Sequence, residues 1–195
     1  MSKQAVGSLM YLTATQPDLM YGVSLISRFM ANPKSSHWLV AKKILRYLKG
    51  TTDFGILYKR GSRNAGLLSY TNINYAGDLD YRKSTSSFAF IMGSGAISWA
   101  SKKQRVVRLS TTEAEYIVAA LCACQCIWLR RILEQLGAEK KKKHKNSLDL
   151  VNDGAVKLSF YSSEEQIADI MTKPLSLEKF VKLRRMLGVI DAAEV

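Results

Sequence analysis

Two amides stand on a strand that could hold chemistry if they were acids. In "SYTNINYAGDLDYRKSTSSFAFIM" (69–92), Asn72 and Asn74 fall in a segment that extends, turns and starts again. A carboxylate at such a place could hold a hard divalent cation, whereas asparagine offers only a neutral amide oxygen. Asp78 and Asp80 follow in the turn. A further acidic pair opens "RLSTTEAEY" (108–116). Ser110 with Glu113 three residues on has the spacing of a capping box, which gives Glu113 a structural job. Glu115 lies about 200° round the helix from it, on the side of Val118, Ala119 and Cys122, where it could face a sheet or simply solvent. Asp169 in "SSEEQIADIMTKPL" precedes Lys173 by four residues and could equally be half of a helical ion pair.

The thiols suggest less. Cys122, Cys124 and Cys126 share one short segment, "CACQC", and cannot all face one metal from a helix. Cys122 and Cys126 read as small apolar core residues, and Trp99 and Trp128 as core. An odd number of cysteines in one place argues against a disulfide framework and for a reducing compartment. An intracellular, cytoplasmic or nuclear location is expected, since the start "MSKQAVGSLMY" has no signal-peptide pattern and no unbroken apolar run has the length of a membrane span.

The elements that must position these residues are legible from periodicity. Leu19, Val23, Ile26 and Met30 have helical spacing between Pro17 and Pro33. A second helix is expected from a cap at Ser35 or Ser36 to Gly50, with Trp38, Ala41, Leu45 and Leu48 as its apolar stripe. Alternation at Phe54, Ile56 and Tyr58, then through 65–101 with "GSG" (93–95) as a tight connection, predicts strands and a three-stranded antiparallel meander. A long helix follows over about 111–136, stopped by Gly137. Beyond it come a strand in "AVKLSFY", a helix over about 163–172 and a last one over about 177–187. The order is that of an α+β fold.

With 195 residues, 47% of them hydrophobic, a packed core is expected. The 29 Lys+Arg against 16 Asp+Glu give a formal charge of +13, which favours a polyanionic partner. Part of that charge is one block, "KKKKHK" (140–145), of the kind that often forms a solvated linker.

Long stretches of the chain resemble a known family. "YAGDLDYRKSTSSFAFIMGSGAISWASKKQRVVRLSTTEAEYIVAA", "IWLRRILEQLG" and "SSEEQIADIMTKPL" are similar to the ribonuclease H region at the end of the Pol polyprotein of copia-type LTR retrotransposons. "VGSLMYLTATQPDLMYGVSLISRFMANPKSSHWLVAKKILRYLKGTTDFGILY" resembles the tail of the preceding reverse transcriptase region, without any Y-x-D-D polymerase motif. The resemblance implies a helical segment over 1–60. Residues 61–190 would then form an RNase H-like domain, a mixed sheet with packed helices. It also implies Mg²⁺-assisted cleavage of RNA in an RNA–DNA hybrid, with clustered carboxylates holding two ions.

Carried over position by position, the resemblance puts the family's first aspartate on Asn72 and a neighbouring acidic position on Asn74. Its helical glutamate falls on Glu115 and its last aspartate on Asp169. The strand and helix that bear the remaining aspartate have no counterpart in 137–157, so the domain is expected to be incomplete. Asp78, Asp80, Asp149 and Asp153 are the available substitutes. With so few ligands left, the expectation is a catalytically inactive, retrotransposon-derived chain without Mg²⁺, retaining weak, non-specific nucleic-acid binding. The alternative is a working Mg²⁺-dependent ribonuclease H. A domesticated host protein that uses the fold for protein contacts is a third reading.

Overall fold

Apolar residues at helical spacing, punctuated by Pro17 and Pro33, give three helices at the start of the chain. They are α1 (Lys3–Leu12), α2 (Met20–Ser27) and α3 (Ser35–Lys49). The computed structural model describes residues 3–59, 66–78, 81–137 and 161–194. The three helices share a core of Val6, Leu9, Leu19, Val23, Ile26, Ala41 and Ile44. Helix α3 is turned from the expected stripe: Ala41 and Ile44 are buried, while Trp38 and Leu45 are 39% and 47% exposed. The cause is close packing on α2, where Ile44 lies against Gly22. Its N-cap is Lys34 rather than a serine, and the His37 ring accepts from the Lys34 N–H at 3.0 Å.

Two small antiparallel sheets follow. Strand β1 (Phe54–Ile56) pairs with β5 (Val189–Asp191), a strand that periodicity did not announce because three residues are too few to show alternation. The meander is present as β2 (Leu68–Asn74), β3 (Thr85–Met92) and β4 (Gly95–Lys103), in the order β2-β3-β4. Gly93, at φ +65°, makes the turn between β3 and β4. Among the described residues every strand pair is antiparallel, where a mixed sheet was expected.

The meander is covered on both faces. Phe90 on one face packs with Cys122, Cys126 and Leu129 of α4 (Thr111–Gln135). On the other face Tyr70, Ala89, Ile91 and Ala96 pack against Ile167–Met171 and against Leu183 and Leu187 at α5 (Leu177–Met186). The segment 167–171 is a 3₁₀ helix and not the α-helix expected over 163–172. The expected strand "AVKLSFY" lies outside the described residues except for Tyr161, whose ring packs tilted at 51° with its centroid 4.9 Å from that of Tyr70. Trp99 is half-buried and donates to the Thr13 carbonyl at 2.7 Å, but Trp128 is 54% exposed and is not core. Helix α4 is by length and composition apolar enough to cross a membrane, which the expectation had missed. The buried side chains along its inner face show the same composition serving a sheet-packed helix.

Candidate functional site

The structure gathers Asn72, Glu115 and Asp169 at one cleft. Strand β2 sits at the edge of the meander, with no strand on its outer side among the described residues. Side chains from both faces of the sheet can therefore meet round that edge. The cleft encloses about 440 Å³ and is lined by Asn72, Glu115, Gln166, Asp169 and Lys173, among others. Glu115 projects from the exposed first turns of α4, after a cap in which Ser110 accepts from the Glu113 N–H at 3.1 Å. The reciprocal bond differs slightly from the expected box, since Glu113 accepts from the Leu109 N–H at 3.0 Å.

Asn72 belongs to a row of polar side chains crossing all three strands. It stands opposite Ser87, and Ser87 opposite Ser101. A 3₁₀ helix leaves several carbonyls without internal partners, and this row supplies donors to them. Ser87 Oγ donates to the Ala168 carbonyl at 2.9 Å, and Ser101 Oγ to that of Met171 at 2.7 Å. Asn74 Nδ2 donates to the Thr172 carbonyl at 3.2 Å. Asn72 Nδ2 donates to Asp169 Oδ1 at 2.6 Å and to Thr172 Oγ1 at 3.0 Å. The two asparagines thus bind the 3₁₀ segment to the sheet.

Asp169 is 2% exposed, and both of its oxygens are engaged. Oδ2 lies 2.9 Å from Lys173 Nζ and 3.1 Å from Lys179 Nζ. The helical pair with Lys173 was legible from spacing, but the approach of Lys179 from the first turn of α5 was not. Ser87 and Ser101 were missed as well. The available signal was their place in the same cross-strand row as Asn72, which only a fixed register reveals.

The residues present do not fit a pair of Mg²⁺ ions. A hard dication needs several anionic oxygens, and among the described residues no three Asp, Glu, His or Cys side chains come together as a metal cage. Asp169 already faces two ammonium groups and an amide donor, which any cation would have to displace. Among the substitutes, Asp78 pairs with Lys103 and accepts from the Tyr81 N–H at 2.8 Å. Burial pushes its carboxyl up, but the Lys103 ammonium and these hydrogen bonds outweigh that and hold it below the usual range. Asp80, Asp149 and Asp153 lie outside the described residues. Cys122 and Cys126 are buried and Cys124 is exposed, and burial pushes the Cys122 thiol up to about 11.

Known proteins similar to this chain are chiefly transposon polyproteins. The retrovirus-related Pol polyprotein from transposon TNT 1-94 of Nicotiana tabacum is 38% identical over 214 residues, covering 95% of this chain. That from transposon RE2 of Arabidopsis thaliana is 36% identical over 215 residues, again 95% of the chain. The chain spans only 16% and 15% of the length of these two curated relatives. Since 95% of 195 residues is about 185, the relatives carry roughly thirty more residues across the matched region. A secreted RxLR effector protein, number 161, of Plasmopara viticola is 41% identical over 126 residues, 64% of this chain and 88% of that protein. No family model and no solved structure matches the chain. Over 95% of its length the chain is similar to one part of the retrovirus-related Pol polyproteins of plant transposons, which supports a retrotransposon Pol fragment.

Proposed function

We propose that the chain is a copia-type Pol sequence from the C-terminal end of the polyprotein, carrying an RNase H-like domain that has lost catalysis. One observation carries this reading. Asp169, where the family's last aspartate falls, is tied to Asn72, Lys173 and Lys179, so tethered cations and an amide stand where divalent ions would have to bind. The roughly thirty-residue shortfall against the relatives is of the size that a lost strand and helix would leave. In the two-domain reading, residues 1–60 are a reverse transcriptase remnant: α1–α3 have a core of their own, while β1 within the same stretch pairs with β5 and Phe54 and Ile56 pack on the meander's core. What function remains is weak, sequence-blind binding of nucleic acid through basic side chains, without Mg²⁺. The alternative, a working ribonuclease H, draws on the one cleft that Glu115 and Asp169 both line.

The test is incubation of the purified chain with an RNA–DNA hybrid in Mg²⁺ or Mn²⁺. No cleavage is expected, for the native chain or for Asn72→Asp. Metal-dependent cleavage that disappears in Glu115→Gln would establish the alternative. Cleavage restored by Asn72→Asp alone would show that another carboxylate completes the site.

A further inference from the structure

A second cavity lies where α2 and α3 meet the segment that runs from the 3₁₀ helix into α5. It encloses about 290 Å³ and shares only Lys173 with the cleft of Asn72, Glu115 and Asp169. Leu19, Ile170 and Leu175 make its wall apolar, and the rings of Tyr21, Tyr47 and Phe180 border it. Tyr47 and Phe180 stand edge to face with centroids 5.8 Å apart. One acid belongs to this wall: Asp18, which is 7% exposed. The Tyr47 hydroxyl accepts from Arg184 at 2.9 Å and donates to Asp18 Oδ2. The other oxygen, Oδ1, is enclosed and has no hydrogen-bond partner. A buried acceptor without a partner costs the fold, and so points to something that supplies a donor there.

We propose that this cavity binds a nucleotide whose base carries an exocyclic amine, the amine donating to Asp18 Oδ1 and the phosphate meeting Lys43. An apolar cavity bordered by aromatic rings takes a flat ring, and a single acceptor in its wall orients that ring by an N–H edge. Charge decides the rest of the ligand. Lys43 is exposed at the cavity, Lys173 also lines it, and Asp18 is the one acid among the lining residues. Arg184 already attracts that acid through space. A cationic ligand would therefore meet more positive charge than negative, whereas an anion at its outer end is drawn in. Lys173 is held by Asp169 at 2.9 Å, which leaves Lys43 as the anchor for that anion. A flat ring with an N–H edge and an anionic tail is the chemistry of a nucleotide. A free mononucleotide and the terminal nucleotide of a strand share it. The site does not depend on whether the chain is a nuclease.

Isothermal titration calorimetry of the full chain with adenosine 5′-monophosphate, at physiological ionic strength, should give saturable binding with a Kd below about 1 mM. Two further ligands dissect the site without touching the protein. Purine riboside 5′-monophosphate lacks the amine and adenosine lacks the phosphate, and each should bind about tenfold more weakly. Lys43→Glu should weaken adenosine 5′-monophosphate about tenfold and leave adenosine unchanged. Lys42→Glu, exposed on the same helix but outside the cavity, should leave both unchanged. Amide resonances of residues 18–22, 43–47 and 170–175 should shift during the titration. A 5′-phosphorylated oligodeoxyadenylate that displaces the mononucleotide supports the site with a strand end as its source. An oligonucleotide that does not displace it supports the free nucleotide. Absence of saturable binding by the mononucleotide overturns the proposal. So does equal affinity for purine riboside 5′-monophosphate, which would leave Asp18 without a part in recognition. Equal weakening by Lys42→Glu and Lys43→Glu would also overturn it, by reducing the site to diffuse attraction.

Discussion

Among the described residues, Asp169 is the acidic side chain that joins the most elements, tying β2, the 3₁₀ segment and α5 together. Burial of a carboxylate is costly unless it is paired and hydrogen-bonded, and here one side chain receives Asn72 Nδ2, Lys173 Nζ and Lys179 Nζ. Removing the carboxylate leaves Asn72 and the largely buried Lys179 without their partner, while Lys173, whose side chain is 42% exposed, can turn to water. Asp169→Ala should therefore destabilise the fold by about 3 kcal/mol, read from denaturant unfolding. If the aspartate were only a leftover ligand, relief of local charge would make the same change neutral or stabilising. A second buried acid, Asp18, is 7% exposed and accepts from the Tyr47 hydroxyl, which in turn accepts from Arg184 at 2.9 Å. Burial raises the Asp18 pKa above 3.8, against the smaller lowering by Tyr47, its backbone contacts and Arg184. A raised folded-state pKa means the fold binds this proton more tightly than the unfolded chain does. The stabilisation is full below pH about 3.8 and is lost as pH rises through the folded-state value. Subtracting the pH–stability curve of Asp18→Asn from that of the native chain should show this decline. A difference curve flat across that window would refute it. None of this was legible beforehand, because Asp18, Tyr47 and Arg184 are far apart in sequence and only the fold brings them together.

Elements long enough to display a period were readable, and short ones were not. The two helices expected before residue 50, the meander and α4 each repeat an apolar spacing over several turns or alternations, whereas no spacing announced α1. Strand β5 has three residues and gains its identity solely from pairing with β1. The 3₁₀ segment Ile167–Met171 is buried at every position, so it carries no amphipathic signal, and its geometry is set by donors on three different strands. The loop joining α5 to β5 shows how tightly such short pieces are fixed. Gly188 has φ +84°, and a Cβ there would lie 2.5 Å from the Ser94 carbonyl oxygen and 2.7 Å from Gly95 Cα. Both obstacles are backbone of the β3–β4 turn, so neither can step aside. Gly188→Ala should cost about 3 kcal/mol or more and lower the melting temperature accordingly, by strain and displaced backbone together. An equal change at Gly7, where nothing lies within 4 Å, supplies the control and should be mild or stabilising, because alanine favours the helix.

At the scale of the whole molecule the dominant property is charge, and the structure divides it into free and engaged parts. Lys42, Lys43, Arg46 and Lys49 are exposed on α3, as are Arg82, Lys102 and Arg105 about the meander. Lys103 is not available in the same way, since it is paired with Asp78. Lys173 and Lys179 are spent on Asp169. Phosphate contact by the exposed cations would release counterions, so affinity for duplex should fall steeply as salt rises and ignore base sequence. Titrating labelled RNA–DNA hybrid and duplex DNA at several salt concentrations measures that slope. The same titration with the lysines of 140–145 replaced by glutamine separates two sources of affinity. A folded surface that binds retains most of its affinity after the replacement. An affinity that collapses with those five lysines belongs to the block, whatever the fold around it. Reversing Lys42 and Arg46 to glutamate should then reduce whatever affinity remains and flatten its salt slope, because each lost phosphate contact removes about one counterion from the exchange. Tight binding independent of salt would contradict an electrostatic surface altogether.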